Sequence, residues 1–273
     1  MKKKSPFTII YRDKRIVVVN KSPGIAVTAD RWDPAAERLD RIVALAEAAS
    51  AETAPAEQFR LWTVHRIDRD TSGLVLFARD EETHRSLSLA FEGRQVEKRY
   101  LAVVYGRPLW KETSCDLPLV PNGNKKHLTI IDKYHGKESL TCFRFLGGVG
   151  NYSVVEAMPK TGRTHQIRVH LAALGHPVVC DSLYGSDKPV FLSSFKPDRR
   201  GDPLEEQPLL NRLGLHAAEL ALPYRPEPGE NEHGLFRLRA PLSRDMAALI
   251  NQMEKRGAGK NLTAQEPAAP ALP

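Results

Sequence analysis

Three short segments are polar at positions where a scaffold element would be apolar, and their residue types could do chemistry. They are residues 65–73 (HRIDRDTSG), residues 98–103 (KRYLAV) and residues 162–170 (GRTHQIRVH). In the first segment Asp68 stands among arginines, which would keep a carboxylate ionised, and this pattern indicates an active-site loop. The alternative is a charged loop that makes a turn over residues 71–73 (TSG) just before a strand.

Other chemistry is less well supported by these segments. Asp68 and Asp70 could be the carboxylate pair of a glycosidase, but an offset of two residues in a loop does not control their separation. His165 and His170 are five residues apart, whereas two metal ligands on one helix are usually three or four apart. These histidines are therefore predicted to be structural or to contact RNA. Tyr100, taken alone, is typical of an ordinary strand aromatic.

The elements that must position these segments are strands with irregularly interspersed helices. Apolar and β-branched runs predict strands at residues 7–11, 16–19, 74–78, 96–105, 139–146, 152–158, 215–222 and 235–239. Apolar residues at helical spacing predict helices at residues 39–49, 81–91, 165–174 and 243–253. Strands and helices do not alternate regularly, which favours an α+β fold over a βαβ repeat.

The composition limits the classes of protein and of partner. Of the 273 residues, 41% are hydrophobic and 27% are charged, which is ordinary for a globular protein. The net charge of +7 favours a polyanionic partner such as nucleic acid. No apolar run approaches the roughly 18 residues of a membrane span, and no apolar stretch follows the basic start of the chain. Three scattered cysteines without a C-x-x-C pair fit a reducing compartment, so we expect a cytoplasmic protein.

Taken together, the polar segments resemble the motifs of one known family. Residues 65–73 resemble the H-R-L-D-x-x-T-S-G signature of the RluA-type pseudouridine synthases, with Ile67 in place of leucine. The other similarities are residues 16–24 (IVVVNKSPG) to the first family motif, residues 98–102 (KRYLA) to the tyrosine motif, and residues 162–185 to the last motif. The ordered matches extend over about residues 7 to 250.

The resemblance implies a fold and a division of the chain. The expected α+β fold is a mixed, largely antiparallel central sheet with flanking helices and loops around a catalytic cleft. Residues 1–6 would be a basic tail, residues 7–254 the catalytic domain, and residues 255–273 a disordered tail rich in alanine and proline. Many family members carry an S4-type RNA-binding module before this domain. A first strand near residue 7 leaves no room for that module, so the catalytic domain would select the RNA.

The resemblance also implies a reaction and three catalytic residues. A uridine in folded RNA is detached at N1, its base rotates, and C5 is joined to the same sugar carbon, without a cofactor or a metal. Asp68 matches the essential aspartate, which acts at the ribose by attacking C1′ or by removing the C2′ proton. Arg168 matches the basic residue that pairs with this aspartate. Tyr100 matches the tyrosine that lies against the base, with its hydroxyl placed to assist removal of the C5 proton.

Further residues of the motifs would bind the substrate. Ile167 would be an apolar wall for the uracil, and Arg66 would hold RNA or fill the space of the displaced base. The remaining candidate substrate-binding residues are His65, Thr71, Arg163 and His165. The expected partner is rRNA, tRNA or both, bound by a monomer with no membrane or metal partner.

Two alternatives stay open at this point. The first is a catalytically silent RNA-binding factor on the same scaffold, which would have no chemical need for the intact set of Asp68, Tyr100 and Arg168. The second is a hydrolase that uses Asp68 and Asp70. A hydrolase would release free uracil or sugar, whereas an isomerase releases neither.

Overall fold

The structure of the protein is a computed structural model, and it describes residues 5–29, 35–50, 60–121, 128–196, 205–226 and 234–263. The strands are β1 (Phe7–Arg12), β2 (Ile16–Lys21), β3 (Trp62–Thr63), β4 (Ser72–Ala78), β5 (Glu97–Tyr105), β6 (Glu112–Cys115), β7 (Leu119–Val120), β8 (Ile130–Ile131), β9 (Thr141–Val149), β10 (Tyr152–Pro159), β11 (Leu215–Leu222) and β12 (Phe236–Arg239). The helices are α1 (Leu39–Ser50), α2 (Glu81–Glu92), α3 (Gln166–Ala173) and α4 (Arg244–Glu254).

Ten of the strands form one central sheet. Its order is β1-β2-β4-β11-β5-β10-β9-β6, with β3 paired to β4 and β12 paired to β11. The contact between β4 and β11 is parallel, and the other strand pairs are antiparallel. Strands β7 and β8 form a separate two-stranded sheet. The arrangement confirms the α+β prediction of a mixed, largely antiparallel sheet.

Helices cover the sheet on both faces, which explains why the central strands β4 and β11 are buried at every position. In β4, Val75 and Phe77 pack in a cluster with residues of α1, whereas Leu74 and Leu76 pack in a cluster with residues of α2. All seven residues of β4 are buried. In β5 the alternation is the same, with α4 covering one set of side chains and α3 the other.

Tyr100 belongs to two of these clusters at once. It packs against the cluster under α1 and also against the cluster under α3, and these two clusters lie on the same face of the sheet. The boundary between the two halves of that face therefore falls at Tyr100, about one-third of the way along β5.

The chain after α4 differs from its prediction. Ala258 and Leu262 are buried in the cluster that contains Met253, so the expected disordered tail does not hold for residues 255–263. The physical reason is Gly147 of β9, where an added Cβ would lie 1.9 Å from the carbonyl oxygen of Ala258. Residues 147–149, which the predicted strand at residues 139–146 leaves out, are thus part of β9, and the chain after α4 packs against them. The ends of the predicted tails, residues 1–4 and 264–273, lie outside the described residues.

In the part of the chain that the structure describes, none of the helices is long and apolar enough to cross a membrane.

Candidate active site

The loop that carries Asp68 runs from residue 64 to residue 71, between β3 and β4. The amide of Thr71 donates a hydrogen bond to the carbonyl of Asp68 at 3.2 Å, so the turn lies within residues 68–71. The alternative prediction of a turn over residues 71–73 is wrong, because β4 already begins at Ser72. Asp68 is therefore held in a tight turn that leads directly into the most buried strand.

Gly73, the second residue of β4, occupies a position just after the loop that only glycine can fill. Its φ is +114°, and a Cβ at this position would lie 2.2 Å from the carbonyl oxygen of Ala217. Gly73 pairs with Ala217 at the single parallel contact of the central sheet, between β4 and β11. Only glycine permits this close approach of the two backbones.

Lys21, the last residue of β2, binds the backbone of the turn at Arg69. Its side chain is 1% exposed, and its Nζ donates hydrogen bonds to the carbonyls of Ser22, Ile25 and Arg69 at 3.0, 2.9 and 2.7 Å. Burial lowers the pKa of Lys21 to about 7, although the carboxylates of Asp70 and Asp68 oppose this shift. The first family motif, residues 16–24, thus supports the loop that carries Asp68.

A second set of hydrogen bonds links Ser72, the first residue of β4, to β11 and to Arg212. The Ser72 hydroxyl lies 2.9 Å from Nδ1 of the buried His216 on β11, and it accepts a hydrogen bond from Arg212 at 3.3 Å. Arg212 in turn makes two hydrogen bonds of 2.8 Å to Asp245 at the start of α4. Strands β4 and β11 and helix α4 are therefore linked behind the loop.

His65, near the start of the loop, has a neutral ring that two contacts hold in place. Its Nε2 accepts a hydrogen bond from the amide of Leu76 at 3.1 Å, and the ring stacks on Phe91 with centroids 4.9 Å apart. Burial lowers the pKa of His65 to about 3. The ring therefore supports the loop, while part of its surface lines the cavity described below.

Asp68 forms an ion pair with Arg168 in the wall of the cavity described below. Nη1 of Arg168 lies 3.2 Å from Oδ2 of Asp68, while Nε and Nη2 of Arg168 each bind Asp181 at 2.8 Å. The guanidinium thus lies between two carboxylates, and its bidentate partner is Asp181. Burial disfavours the charge of Arg168, but the hydrogen bonds and charges of Asp181 and then of Asp68 outweigh burial, and its pKa is raised.

Helix α3 presents Arg168 because its first turn is unusually polar for a buried element. Gln166 accepts hydrogen bonds from the amide of Arg163 and the hydroxyl of Thr161, and it donates to Leu140 and Thr141. These four contacts hold the loop before the helix. His170 is also buried and bonded within the protein, next to Ser139 and Thr141, so its role is structural.

Tyr100 and Ile167 form the apolar part of the site. Both lie in the cluster under α3, and Ile167 is 7% exposed. Burial, and after it the charge of Asp68, raises the pKa of Tyr100 far above its ordinary value. The phenol is therefore protonated at any physiological pH, and it offers a ring and a hydroxyl rather than a phenolate.

These groups surround a cavity of about 450 Å³, a size suited to a small ligand or a single nucleotide. All nine predicted site residues line it, namely His65, Arg66, Asp68, Thr71, Tyr100, Arg163, His165, Ile167 and Arg168. Thr71 is 1% exposed, and its hydroxyl makes no hydrogen bond among the described residues. Asp70 is exposed and is not among the lining residues, so the structure does not place a second carboxylate from this loop beside Asp68.

Cationic groups are concentrated along the same cavity. Arg94 pairs with Glu138, and Arg163 donates a hydrogen bond from Nε to the carbonyl of Glu138 at 3.0 Å. Burial, followed by the charge of Lys160, lowers the pKa of Lys98 to about 8. The full set of lining cations is Arg66, Arg94, Lys98, Lys160, Arg163 and Arg168. A cavity with this lining fits a phosphate-bearing ligand.

Sequence reasoning did not identify three supporting residues as site residues. These residues are Lys21, Asp181 and Tyr184, which lie within the family motifs. Lys21 binds the Asp68 loop, and Asp181 and Tyr184 both contact Arg168. Polar residues inside buried runs were the available signal: a lysine that ends the β-branched strand β2, and Asp181 directly after two valines and a cysteine.

Comparison with known proteins gives consistent results. A family model described as RNA pseudouridylate synthase matches residues 15–173. The ribosomal large subunit pseudouridine synthase D of Zymomonas mobilis is 32% identical over 219 residues, which is 79% of this chain and 64% of that protein. The ribosomal large subunit pseudouridine synthase C of Vibrio vulnificus is 38% identical over 213 residues, 78% of this chain and 60% of that protein. The chain thus spans less than two-thirds of the length of these relatives.

A solved structure is similar over most of the chain. Human RNA Pseudouridylate Synthase Domain Containing 1 superposes with a TM-score of 0.61 at 26% identity, covering 89% of this chain and 86% of that one. The fold and the sequence motifs therefore point to the same relatives.

Proposed function

Because this chain belongs to the RluA-type RNA pseudouridylate synthase family, we propose that it converts uridine to pseudouridine in structured RNA. In this reaction the uracil is detached at N1, rotates, and is rejoined to the same sugar carbon through C5. The cleavage at the sugar requires a carboxylate there, and the rotating base requires a wall that holds it. Because no atoms are gained or lost, water must also be kept away from the detached sugar.

The observation that carries the proposal is the position of Asp68 at the Arg168 guanidinium inside a cavity. The side chain of Asp68 is 24% exposed, so the carboxylate can be reached from the cavity, while Arg168 is 8% exposed and fixed by Asp181. A carboxylate held in one orientation can act at the ribose, either by attack on C1′ or by removal of the C2′ proton.

The base would occupy the apolar part of the cavity, between Tyr100 and Ile167. The Tyr100 ring supplies a surface on which uracil can stack. Because the phenol keeps its proton, its hydroxyl would act as a hydrogen-bond donor or pass on a proton near C5. His65 and Thr71 would shape the wall of this pocket, since their polar atoms face or contact the protein.

The RNA itself would be held by the cations of the rim. Arg66 is exposed at the cavity, and Arg163, on the loop before α3, also lines it. A uridine must leave its stack to enter such a cavity, which costs roughly a few kcal/mol and is easier in an unpaired region. We propose a uridine in a loop of large-subunit rRNA as the target, by analogy with the two bacterial relatives, which are both named as ribosomal large subunit pseudouridine synthases.

The proposal is tested by mapping pseudouridine in RNA treated with the purified protein. Unmodified 23S rRNA and tRNA transcripts are incubated separately with the protein, and pseudouridine is located in each. We expect conversion at one or a few loop uridines of the rRNA. Conversion in tRNA alone would correct the RNA class, and conversion in neither, with RNA binding retained, would indicate the silent RNA-binding factor.

Matched carboxylate variants test the role of Asp68. Asp68→Asn keeps the side-chain shape and removes the charge, so conversion should vanish while RNA binding is largely retained. Asp70→Asn removes a charge two residues away that does not line the cavity, and it should keep most of the activity. Equal losses in the two variants, or release of free uracil by the wild type, would instead support a hydrolase or a structural role.

A further inference from the structure

His165 combines a left-handed backbone conformation with a side chain that lines the active-site cavity. It precedes α3 with φ +54°, in the left-handed region, and its side chain makes no capping hydrogen bond to the helix. Histidine tolerates this region better than most residues, although the conformation still has a cost. The imidazole is bound elsewhere: Nδ1 lies 2.9 Å from the Tyr184 hydroxyl, and Nε2 lies 4.0 Å from Oδ2 of Asp68.

The hydrogen bonds of Tyr184 determine which nitrogen of His165 carries the proton. The amide of Thr129 donates to the Tyr184 oxygen at 2.8 Å, and an amide can only donate. The one proton of the phenol is therefore free to bind another acceptor. Nδ1 of His165 lies 2.9 Å from the Tyr184 hydroxyl and is the acceptor that the contacts provide for this proton.

An accepting Nδ1 carries no proton. Burial lowers the pKa of His165, with Asp68 opposing the shift and Arg168 favouring it, so the ring is neutral at neutral pH. A neutral imidazole has one proton, which must then be on Nε2. That N–H faces the cavity beside the Asp68 carboxylate, at a distance too long for a direct hydrogen bond.

A donor and an acceptor 4.0 Å apart are suited to one kind of group between them. A hydroxyl can accept from the Nε2–H and donate to the carboxylate at the same time, whereas a carbonyl or an ammonium can satisfy only one of the two. We propose that Tyr184 is a positioning residue that holds His165 in the Nε2–H form, so that His165 and Asp68 together bind the 2′-hydroxyl of the target ribose. The identity of this hydroxyl rests on the proposed function, which places Asp68 at the ribose.

The consequence is discrimination between ribose and deoxyribose at the target nucleotide. The 2′-hydroxyl is the group by which a protein distinguishes RNA from DNA at a given position. Arg168 already bonds Oδ2 of Asp68 at 3.2 Å, so the carboxylate is held in place while it receives the hydroxyl. Tyr184 also lies under the Arg168 guanidinium, with its ring centroid 5.1 Å away. It therefore contacts both groups that flank Asp68.

The first test reads the tautomer directly and needs no RNA. Nitrogen-15 spectra of the histidine-labelled full chain identify which ring nitrogen is protonated, and the signals missing from His165→Asn assign His165. Asparagine also tolerates the left-handed region, so this variant should keep the loop. We expect Nε2–H in the wild type and at least partial transfer to Nδ1 in Tyr184→Phe. Nδ1–H in the wild type, or no change in Tyr184→Phe, would overturn the tautomer assignment.

Two control variants separate this effect from a general loss of packing. Tyr224→Phe removes a phenol hydroxyl that binds Asp13, away from the cavity, and it should leave the His165 signals unchanged. Thr129→Val keeps the amide that donates to Tyr184 and removes only the Thr129 hydroxyl, and it should also leave the tautomer unchanged. If Tyr184→Phe does not fold, the wild-type spectrum, with His165 assigned from His165→Asn, still decides the tautomer.

The second test measures coupling between Tyr184 and the substrate hydroxyl. The probe is an RNA stem–loop that contains the uridine mapped above, with ribose or 2′-deoxyribose at that one nucleotide. We expect the wild type to bind the deoxy form at least about tenfold more weakly, because the deoxy form loses both hydrogen bonds of the hydroxyl. Tyr184→Phe and His165→Asn should reduce this penalty toward one. An unchanged penalty in both variants would overturn the hydroxyl contact, whereas failure to form pseudouridine would refute the proposed function and leave the tautomer result standing.

Discussion

At the residue scale, the site depends on a single guanidinium that serves two carboxylates. Asp181 is fully buried and receives both of the short hydrogen bonds from Arg168, while Asp68 receives one longer bond. Asp181 therefore fixes the orientation of Arg168, and Arg168 then orients the carboxylate that faces the cavity. The unequal sharing leaves Asp68 accessible for chemistry.

Arg168→Lys should reduce turnover without a comparable loss of RNA binding. Lysine keeps the positive charge but loses the planar fork, so it cannot bond both oxygens of Asp181 and also reach Asp68. We expect kcat at saturating RNA to fall by up to about 100-fold, the effect of misplacing a reactive group by roughly 1 Å. Wild-type kcat in this variant would contradict the positioning role. Arg168→Met is less informative, because it leaves the buried Asp181 unpaired and should cost about 3–5 kcal/mol of stability.

Lys98 predicts a pH dependence of RNA affinity. Its pKa is lowered to about 8 by burial and by Lys160, so the ammonium that can attract phosphate is present below about pH 8 and is lost above it. The dissociation constant should therefore rise severalfold between pH 7 and pH 9 in the wild type. Lys98→Met should bind more weakly at pH 7 and show less change with pH. Lys255→Met, which removes a lysine outside the cavity, serves as the control.

The individual site residues could be found from sequence because the four motifs are short and ordered. Their supports could not, because Asp181 and Tyr184 reach the site only through the folded positions of α3 and the segment that follows it. Nothing in the spacing indicated that Arg168 would bind Asp181 more closely than Asp68. Such a contact depends on the distance between two residues in the folded chain, and the periodicity of the sequence carries no information about that distance.

At the element scale, the junction of β4 and β11 fixes the Asp68 loop to the sheet. Gly73→Ala would place a methyl group against the Ala217 carbonyl in a backbone conformation that alanine rarely adopts. We expect a loss of about 3 kcal/mol or more in the free energy of unfolding, the range for severe backbone strain combined with overpacking. Denaturant unfolding measures it, with Gly150→Ala as the control. Gly150 also has positive φ but has open space around it, so its loss should be smaller.

The Ser72–His216 contact predicts acid sensitivity of the same junction. His216 is fully buried, and burial lowers its pKa to about 4 from an ordinary value of 6.5. Between these values the unfolded chain binds a proton that the folded chain does not, so stability is complete above pH 6.5 and falls as the pH is lowered to 4. This shift corresponds to about 3 kcal/mol at most. The slope of stability against pH should become shallower in His216→Asn, and an unchanged slope would exclude His216 as a contributor.

The long elements of the fold were predictable, whereas the short ones were not. Strands β2, β4, β5, β10 and β11 and all four helices lie within one to two residues of their predicted bounds, because apolar runs and helical spacing identify buried elements. The two-residue strands β3, β7 and β8 are too short to carry a pattern. The predicted form of strand β9 ends too early, because residues 147–149 contain two glycines. Gly147 allows Ala258 and Leu262 to pack closely, and this long-range contact is not visible in the local sequence.

At the scale of the whole molecule, one face of the central sheet is divided into two packed halves that meet at the cavity. The α1 half supports the loop of Asp68, and the α3 half carries Arg168 and Ile167. Tyr100 packs against both halves, so the ring proposed to hold the base stands where the halves meet. Cations from both sides then surround the opening, which makes this face suited to RNA.

This arrangement predicts how RNA affinity depends on salt. Four lining cations, Arg66, Lys98, Lys160 and Arg163, are not engaged by a carboxylate in the contacts described above, and each could neutralise one phosphate. The logarithm of affinity should then fall linearly with the logarithm of salt concentration with a slope of about −3, since each single-strand phosphate contributes about −0.7. Filter binding of a stem–loop RNA over a range of KCl concentrations measures this slope. Lys160→Met should make the slope shallower by about 0.7, whereas Lys255→Met should not change it. A slope near zero would mean that base contacts inside the cavity, rather than phosphate contacts at its rim, hold the RNA.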